Sequence, residues 1–257
     1  MLAKYQAILR MKFVEMFSYQ LSTIVWMFGT MVQPLITMMV WMNIYPDQGD
    51  AFILYFISLI MVERLTSAWD VWEMDCQIRE GTFSYQIVRP FHPVHWAIAE
   101  NIVYKGLFLV ILVPCWMVLS IFLPTLQLQL SPGQWGLFLA ALFLGAIIRF
   151  SVSFLFGILG FWMTKVTALY AMFEAVSLFI SGRIAPFSLL PPVVKQISIF
   201  LPYRYMIGFP LEILTGAYDT HTLIVGFTGA VIWAFILIGA ICWLWKAGLK
   251  KNQAVGG

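Results

Sequence analysis

Two histidines, His92 and His95 in the stretch "RPFHPVHW", have the residue type and spacing that come nearest to a metal site. Pro93 lies between them and disrupts a helix there, and no third ligand lies close by. The chain also has no GxxxxGKS/T, GxSxG, HExxH or EF-hand pattern. The histidines therefore favour polar contacts, and the sequence predicts no catalytic residue, bound cofactor or metal in this chain.

Charged residues inside apolar stretches are a second chemical signal. Glu63, Arg64, Arg149 and Glu174 lie in segments hydrophobic enough to enter a membrane, where an unpaired charge costs at least a few kcal/mol. A rise of 1.5 Å per residue places all four roughly 18–21 Å below one surface. We expect the pairs Glu63–Arg149 and Arg64–Glu174, because adjacent residues on a helix point apart. Such a cluster either holds helices together or lines a wet transport cavity.

The composition identifies the class of protein that positions these residues. The 257 residues are 61% hydrophobic and 11% charged, whereas soluble domains are about 45–50% apolar and about 25% charged. We therefore expect an all-α, polytopic membrane protein with one transmembrane domain over residues 1–257. A net charge of +3 without a basic stripe does not indicate a nucleic-acid partner. Three widely spaced cysteines are typical of reduced thiols.

Hydrophobic segments predict six spans, after an amphipathic interface helix at residues 1–18 that lies in the headgroup plane. The alternative is that residues 1–18 simply begin the first span. The second span must extend to about residue 72, because its purely apolar part covers only roughly 18 Å. The six spans are predicted at residues 21–44, 51–72, 106–123, 135–163, 166–182 and 223–245.

Lysines and arginines predict the orientation of these spans. If the N-terminus is cytoplasmic, ten basic residues lie on the cytoplasmic side and three, Arg183, Lys195 and Arg204, on the other. Arg64 and Arg149 fall within spans. Both termini are therefore expected in the cytoplasm, together with a polar coupling segment at residues 73–95.

Two further segments depart from a simple helical span. Residues 183–222 are apolar but interrupted by five prolines, which predicts two short re-entrant helices in the outer leaflet; a plain external loop is the alternative. In the second span, Glu63, Thr66, Asp70 and Glu73 follow each other at helical spacing. They predict one polar stripe that runs from the buried charges towards the cytoplasm.

Three segments resemble a known family. "IREGTFSYQIVRPFHP", "GFWMTKVTALYAMFEAVSLFISGRIAPFSLLP" and "LPYRYMIGFPLEILTG" are similar, in this order, to segments of the permease subunits of ABC-2 type (type V) ABC exporters, in the branch of small six-span permeases. The resemblance implies export of an amphiphilic, drug-like or lipid-like substrate from a bacterial inner (plasma) membrane. It also implies partner ATPase subunits that bind ATP and Mg, and a second permease, identical or homologous, in a dimer.

The resemblance also suggests residue roles. It implies a coupling helix within residues 73–89, ended by Gly81, with the ATPase-coupling residues Glu73, Asp75, Gln77, Arg79, Glu80 and Arg89. A possible substrate path runs along Trp26, Phe52, Tyr55, Phe56 and Asp70, although such aromatic residues also form ordinary lipid-facing belts. The alternative functions are a secondary transporter or channel that uses the buried charges without an ATPase, and a membrane enzyme acting on lipids.

Overall fold

A computed structural model describes residues 2–18, 20–89 and 91–251, and within these ranges it contains helices and connections but no strand. The all-α prediction is confirmed for this part of the chain. The side chain of Trp26 and the ends of the predicted domain, residues 1 and 252–257, lie outside the described part. The α-helices are α1 (Leu2–Ser18), α2 (Gln20–Ile44), α3 (Gly49–Thr66), α4 (Asp70–Arg79), α5 (Phe83–Ile87), α6 (Pro93–Phe122), α7 (Pro132–Leu159), α8 (Val166–Ile180), α9 (Pro192–Phe200), α10 (Phe209–Leu214) and α11 (Thr220–Leu249).

Four helical stretches of the described ranges are long and apolar enough to cross a membrane: Pro46–Arg79, which contains α3 and α4, and the helices α6, α7 and α11. A fifth candidate is the pair Pro192–Phe200 and Arg204–Leu214, which is bent by 90°. These helices make the chain a multi-pass membrane protein. Helix α8 has 15 residues, roughly 22 Å, which is shorter than a hydrocarbon core of about 30 Å. The count of six spans stays a prediction.

Helix α6 begins at Pro93, well before the predicted span at residue 106. Its polar first turns are stabilised by α1, which packs along them. Lys12 Nζ lies 2.7 Å from Glu100 Oε2, and the Tyr5 hydroxyl hydrogen-bonds His95 Nδ1. Sequence alone did not indicate this partner, so the polar turns were assigned to the loop.

The second predicted span is not one continuous helix. Helix α3 ends at Thr66 and α4 begins at Asp70, so Ser67, Ala68 and Trp69 form a break. The prediction of one polar stripe from Glu63 to Glu73 is therefore wrong. Hydroxyl groups compete with the helix at this point, because the Thr66 hydroxyl donates to the Val62 carbonyl and the Ser67 hydroxyl to the Arg64 carbonyl.

Helix α7 is the centre of the molecule and packs against α3, α4, α10 and α11. One face carries small residues that permit close approach. A Cβ atom on Gly145 would lie 2.9 Å from the Met206 carbonyl oxygen, so only glycine allows the segment before α10 to contact α7 directly. The main core combines α3, α7 and this segment, with Phe56, Ile148 and Tyr205 fully buried.

The segment between α8 and α11 contains short helices with sharp bends, as its prolines predict. After α9, a π-helical turn at Arg204–Gly208 leads into α10. Pro210 has no N–H to donate into the preceding turn, which accounts for the widened helix. All residues from Tyr203 to Leu214 are buried. This segment is therefore an interior element of the fold, and its depth in a membrane stays a prediction.

Candidate functional site

The structure brings the four predicted buried charges together, along with a fifth residue. Helix α3 provides Glu63 and Arg64, α7 provides Arg149, and α8 provides Glu174. Arg183, which follows α8, lies between the two acids: its Nη2 is 2.5 Å from Glu63 Oε1 and its Nη1 is 2.9 Å from Glu174 Oε2. We call these five residues the charge cluster. Three arginines and two glutamates give it a formal charge of +1.

The expected pairing within the charge cluster is wrong. Glu174 pairs with Arg149 at 3.4 Å and with Arg183, while Glu63 pairs with Arg183 and with its neighbour Arg64 at 3.5 Å. Arg183 was assigned to the outer surface because it follows the fifth predicted span. Helix α8 is short, however, so Arg183 lies deep in the molecule and its side chain turns back towards Glu174.

The backbone around Arg183 is fixed by two aromatic side chains. The Tyr55 hydroxyl donates to the Gly182 carbonyl at 2.8 Å, and the Trp41 indole N–H donates to the Ile184 carbonyl at 2.7 Å. Gly182 has φ +89°, and a Cβ atom there would lie 2.7 Å from the Tyr55 hydroxyl oxygen. Glycine is therefore required, and the loop holds Arg183 in one orientation towards the two glutamates.

The predicted substrate-path residues do not line one continuous surface. Phe52 and Tyr55 line a cavity of about 520 Å³ beneath the 186–199 segment, next to the buried ion pair of Arg204 and Glu212 at 2.8 Å. Phe56 is fully buried in the core. The remaining predicted residue with a described side chain, Asp70, lines a second cavity of about 240 Å³ between α1, α4 and α6.

Helix α4 is fixed to its neighbours rather than continuing α3. Asn101 donates to the two Asp70 carboxylate oxygens at 3.1 and 3.3 Å. The Val71 backbone N–H donates to Ser153 Oγ at 3.1 Å, which attaches α4 to α7. At the break, Lys105 Nζ donates to the Ser67 carbonyl at 2.9 Å. The first turn of α4 is thus held by α6 and α7.

The six predicted coupling residues fall into three groups. Arg79, Glu80 and Arg89 are exposed at the end of the molecule that carries α4 and α5. Glu73 and Gln77 face the 240 Å³ cavity, where the Gln77 amide donates to Glu73 Oε1 at 3.0 Å. Asp75 is buried and accepts from Arg79 Nε at 3.0 Å. Asp75 thus positions Arg79 and does not itself face outwards.

Sequence reasoning missed an apolar part of the same surface. After α4, Gly81 adopts φ +72°, and its N–H bonds the Ile78 carbonyl, which confirms the predicted helix stop. Helix α5 follows and exposes Tyr85 (71%) and Val88 (80%) beside Arg89. Large exposed apolar side chains next to charged ones indicate a contact with another protein. In the sequence "SYQIVRP" this exposure becomes apparent only when the position of α5 is known.

The two histidines, His92 and His95, lie where α1 contacts the start of α6. The Lys12 ammonium is partly buried, which alone would lower its pKa, but the Glu100 carboxylate outweighs this and the pKa of Lys12 is raised. His92 accepts from the Val94 N–H and caps α6, and burial lowers the pKa of His92. Within the described residues there is no group of three or more His, Cys, Asp or Glu side chains that could hold a metal ion.

Comparison with known proteins identifies the family. No curated protein matches the chain. The model of a family described as "ABC-2 family transporter protein" matches residues 34–256, from the middle of α2 to beyond α11. This match covers most of the chain and includes the charge cluster, α4, α5 and the bent segment before α11. The chain therefore belongs to the ABC-2 transporter family, whose members are the membrane-spanning permease components of ABC transporters.

Proposed function

We propose that this chain is the permease subunit of an ATP-driven exporter that moves an amphiphilic, drug-like or lipid-like substrate out of the cytoplasm. The family match over residues 34–256 carries the proposal. The chain has no phosphate-binding loop of its own, so the energy must come from separate ATPase subunits that bind ATP and Mg. The proposal includes a bacterial inner membrane as the location and a dimer with an identical or homologous permease.

The surface formed by Arg79, Glu80, Tyr85, Val88 and Arg89 is the proposed ATPase contact, and we call it the docking surface. It combines charged and apolar exposed side chains on α4, on α5 and on the residues that directly follow each of these helices. If the docking surface faces the cytoplasm, α4, α5 and both termini lie on the cytoplasmic side of the membrane. Helix α1 is then the interface helix at the headgroup plane. The 183–222 segment then forms the re-entrant helices of the outer leaflet.

One of the two cavities supports an amphiphilic substrate. The cavity of about 520 Å³ has aromatic walls from Phe52, Tyr55 and Phe187, and charged groups at Arg204 and Lys195. Such a surface suits a molecule with an apolar body and a polar end. The charge cluster lies between this cavity and the docking surface. Its five side chains are linked in one chain of ion pairs, which favours a structural role that connects α3, α7 and α8.

The test is purification of the complex with its neighbours untagged, followed by identification of the co-purifying chains. An ABC ATPase is expected in the wild-type complex and is expected to be lost in a variant with Arg79→Glu and Glu80→Arg. Asp75 is left intact because it is buried. Asp47→Arg, an exposed change at the opposite end, is the matched control. Retained ATPase in the double variant, or export driven by a proton gradient with no ATPase, would contradict the proposal.

A further inference from the structure

An apolar groove runs along the side of the molecule between α3, α6 and α7. It has a volume of about 390 Å³, and its walls include Leu65, Leu109, Leu142 and Phe143. Among the described residues, Lys105 is the only charged one in its lining, and Trp116 and Trp135 lie towards the other end. The groove belongs to neither the charge cluster nor the docking surface.

The length of the groove matches one leaflet of a bilayer. Lys105 and Trp116 are both on α6, and a helix rises 1.5 Å per residue, so they are roughly 16 Å apart along the axis. Half of a hydrocarbon core of about 30 Å is about 15 Å.

The charge on Lys105 is the second observation. Its Nζ donates to the Ser67 carbonyl and to Asn101 Oδ1, each at 2.9 Å. Both acceptors are neutral, and in the described part of the chain no carboxylate lies within ion-pair distance of this ammonium. The contact with Asn101, one turn back on α6, places the ammonium at the end of the groove nearest to α4. Lys12, by comparison, has its own partner in Glu100.

We propose that this groove binds one acyl chain of an anionic glycerophospholipid, with the lipid phosphate accepting a hydrogen bond from Lys105. We place Lys105 near the membrane boundary, because α1, the proposed interface helix, contacts α6 at His95 and Glu100, just before it. Its ammonium has a third proton to donate, and an anionic headgroup would neutralise its charge. The apolar walls of the groove bury the acyl chain of the lipid. The site is independent of the proposed transport function, because it requires only that the protein lies in a bilayer.

Lys105 also supports the break between α3 and α4, so the same ammonium would contact both the lipid and the protein backbone. Ser67 follows the last residue of α3, so its carbonyl group needs a hydrogen-bond donor from outside the helix. The Lys105 ammonium provides this hydrogen bond. A phosphate bound at Lys105 would therefore fix the ammonium in the position that supports the break.

The experiment uses the purified full chain in micelles that contain equal amounts of phosphatidylglycerol and phosphatidylcholine, with bound lipids counted by native mass spectrometry. The wild type should retain phosphatidylglycerol about fivefold in preference to phosphatidylcholine. Lys105→Gln should abolish this preference and Lys105→Arg should keep it. Lys246→Gln, which removes an exposed lysine on α11, should leave the preference unchanged.

A second variant tests the groove without changing charge. Ala146→Phe places a ring among the groove walls and should lower retention of both lipids, with the helical circular dichroism unchanged. The proposal is overturned if the wild type shows no headgroup preference, if Lys105→Gln keeps it, or if Lys246→Gln also removes it. It is equally overturned if folded Ala146→Phe retains lipid as the wild type does, or if the retained molecule is not a phospholipid.

Discussion

Arg183 Nη1 lies 2.9 Å from Glu174 Oε2, and the other terminal nitrogen of the same guanidinium contacts Glu63. One side chain from the loop after α8 therefore joins α3 and α8 in the interior of the molecule. A guanidinium suits this position because its donors are arranged in a fixed plane and can serve two carboxylates at once.

Replacement of Arg183 should strongly destabilise the protein. Arg183→Gln leaves Glu63 and Glu174 with one fewer cation in a buried site, and loss of one partner of a buried ion pair costs about 3–5 kcal/mol. Thermal unfolding in detergent measures the effect, with Lys195→Gln in the same segment between α8 and α11 as the control. The change Glu63→Gln should cost less in the Arg183→Gln background than in the wild type, because Glu63 and Arg183 contact each other and their effects are not additive. Equal stability of Arg183→Gln and wild type would rule out this role.

Asn101 should be important for the position of α4. Asn101→Leu removes both hydrogen bonds to the buried Asp70 carboxylate, and a buried group left without a partner costs about 1–3 kcal/mol. The same change at Asn43, which is exposed, should alter the free energy of unfolding by less than about 0.5 kcal/mol. Chemical or thermal unfolding of the two variants gives the comparison, and similar values for both would contradict the assignment.

Gly81 should tolerate few substitutions. Its φ of +72° is unfavourable for residues with a Cβ atom, so Gly81→Ala should cost about 1–2 kcal/mol. Gly81→Asn should cost less, because asparagine adopts the left-handed conformation more readily. Gly136→Ala in α7, where a Cβ meets no atom within 4 Å, should be neutral or stabilising by up to about 1 kcal/mol. Unfolding midpoints measure all three, and a harmless Gly81→Ala would refute the prediction.

Val88 should contribute to ATPase binding but not to folding. It is 80% exposed, so Val88→Ser should leave the unfolding free energy within about 0.5 kcal/mol of the wild type. If the ATPase buries this side chain, affinity should fall about tenfold. Val193→Ser, an exposed change on α9 at the other end, is the control. A binding assay with the purified ATPase measures the ratio, and equal affinities for both variants would exclude Val88 from the contact.

The sequence is sufficient to predict the class of protein and the helix type, because both depend on local hydrophobicity. It also indicates the charge cluster, since Glu63, Arg149 and Glu174 each lie at a calculable depth. It did not identify Arg183, whose position depends on how far α8 extends and on which way one side chain turns. It also missed the break at Ser67, Ala68 and Trp69, which depends on a donor from Lys105 on another helix.

Residues 1–18 illustrate the same limit. Their periodicity predicts an amphipathic helix, and α1 is helical. Its partner, the first turns of α6, could be found only in three dimensions, because Lys12 and Glu100 are far apart in sequence. Contacts between distant residues decided the position of Arg183 and the partner of α1, whereas the hydroxyl groups of Thr66 and Ser67 contribute locally to the break.

The break between α3 and α4 determines how a movement of α4 would spread. A continuous helix would carry a displacement along its own axis, directly to Glu63. Because of the break, hydrogen bonds connect α4 to neighbouring helices: Asp70 to Asn101 on α6, and Val71 to Ser153 on α7. A force applied at Arg79 and Glu80 would therefore act on α7 and α8. The charge cluster would receive it through Arg149 on α7 and through Glu174 on α8, where Tyr170 contacts Trp72 of α4 and donates to Glu174, rather than along α3.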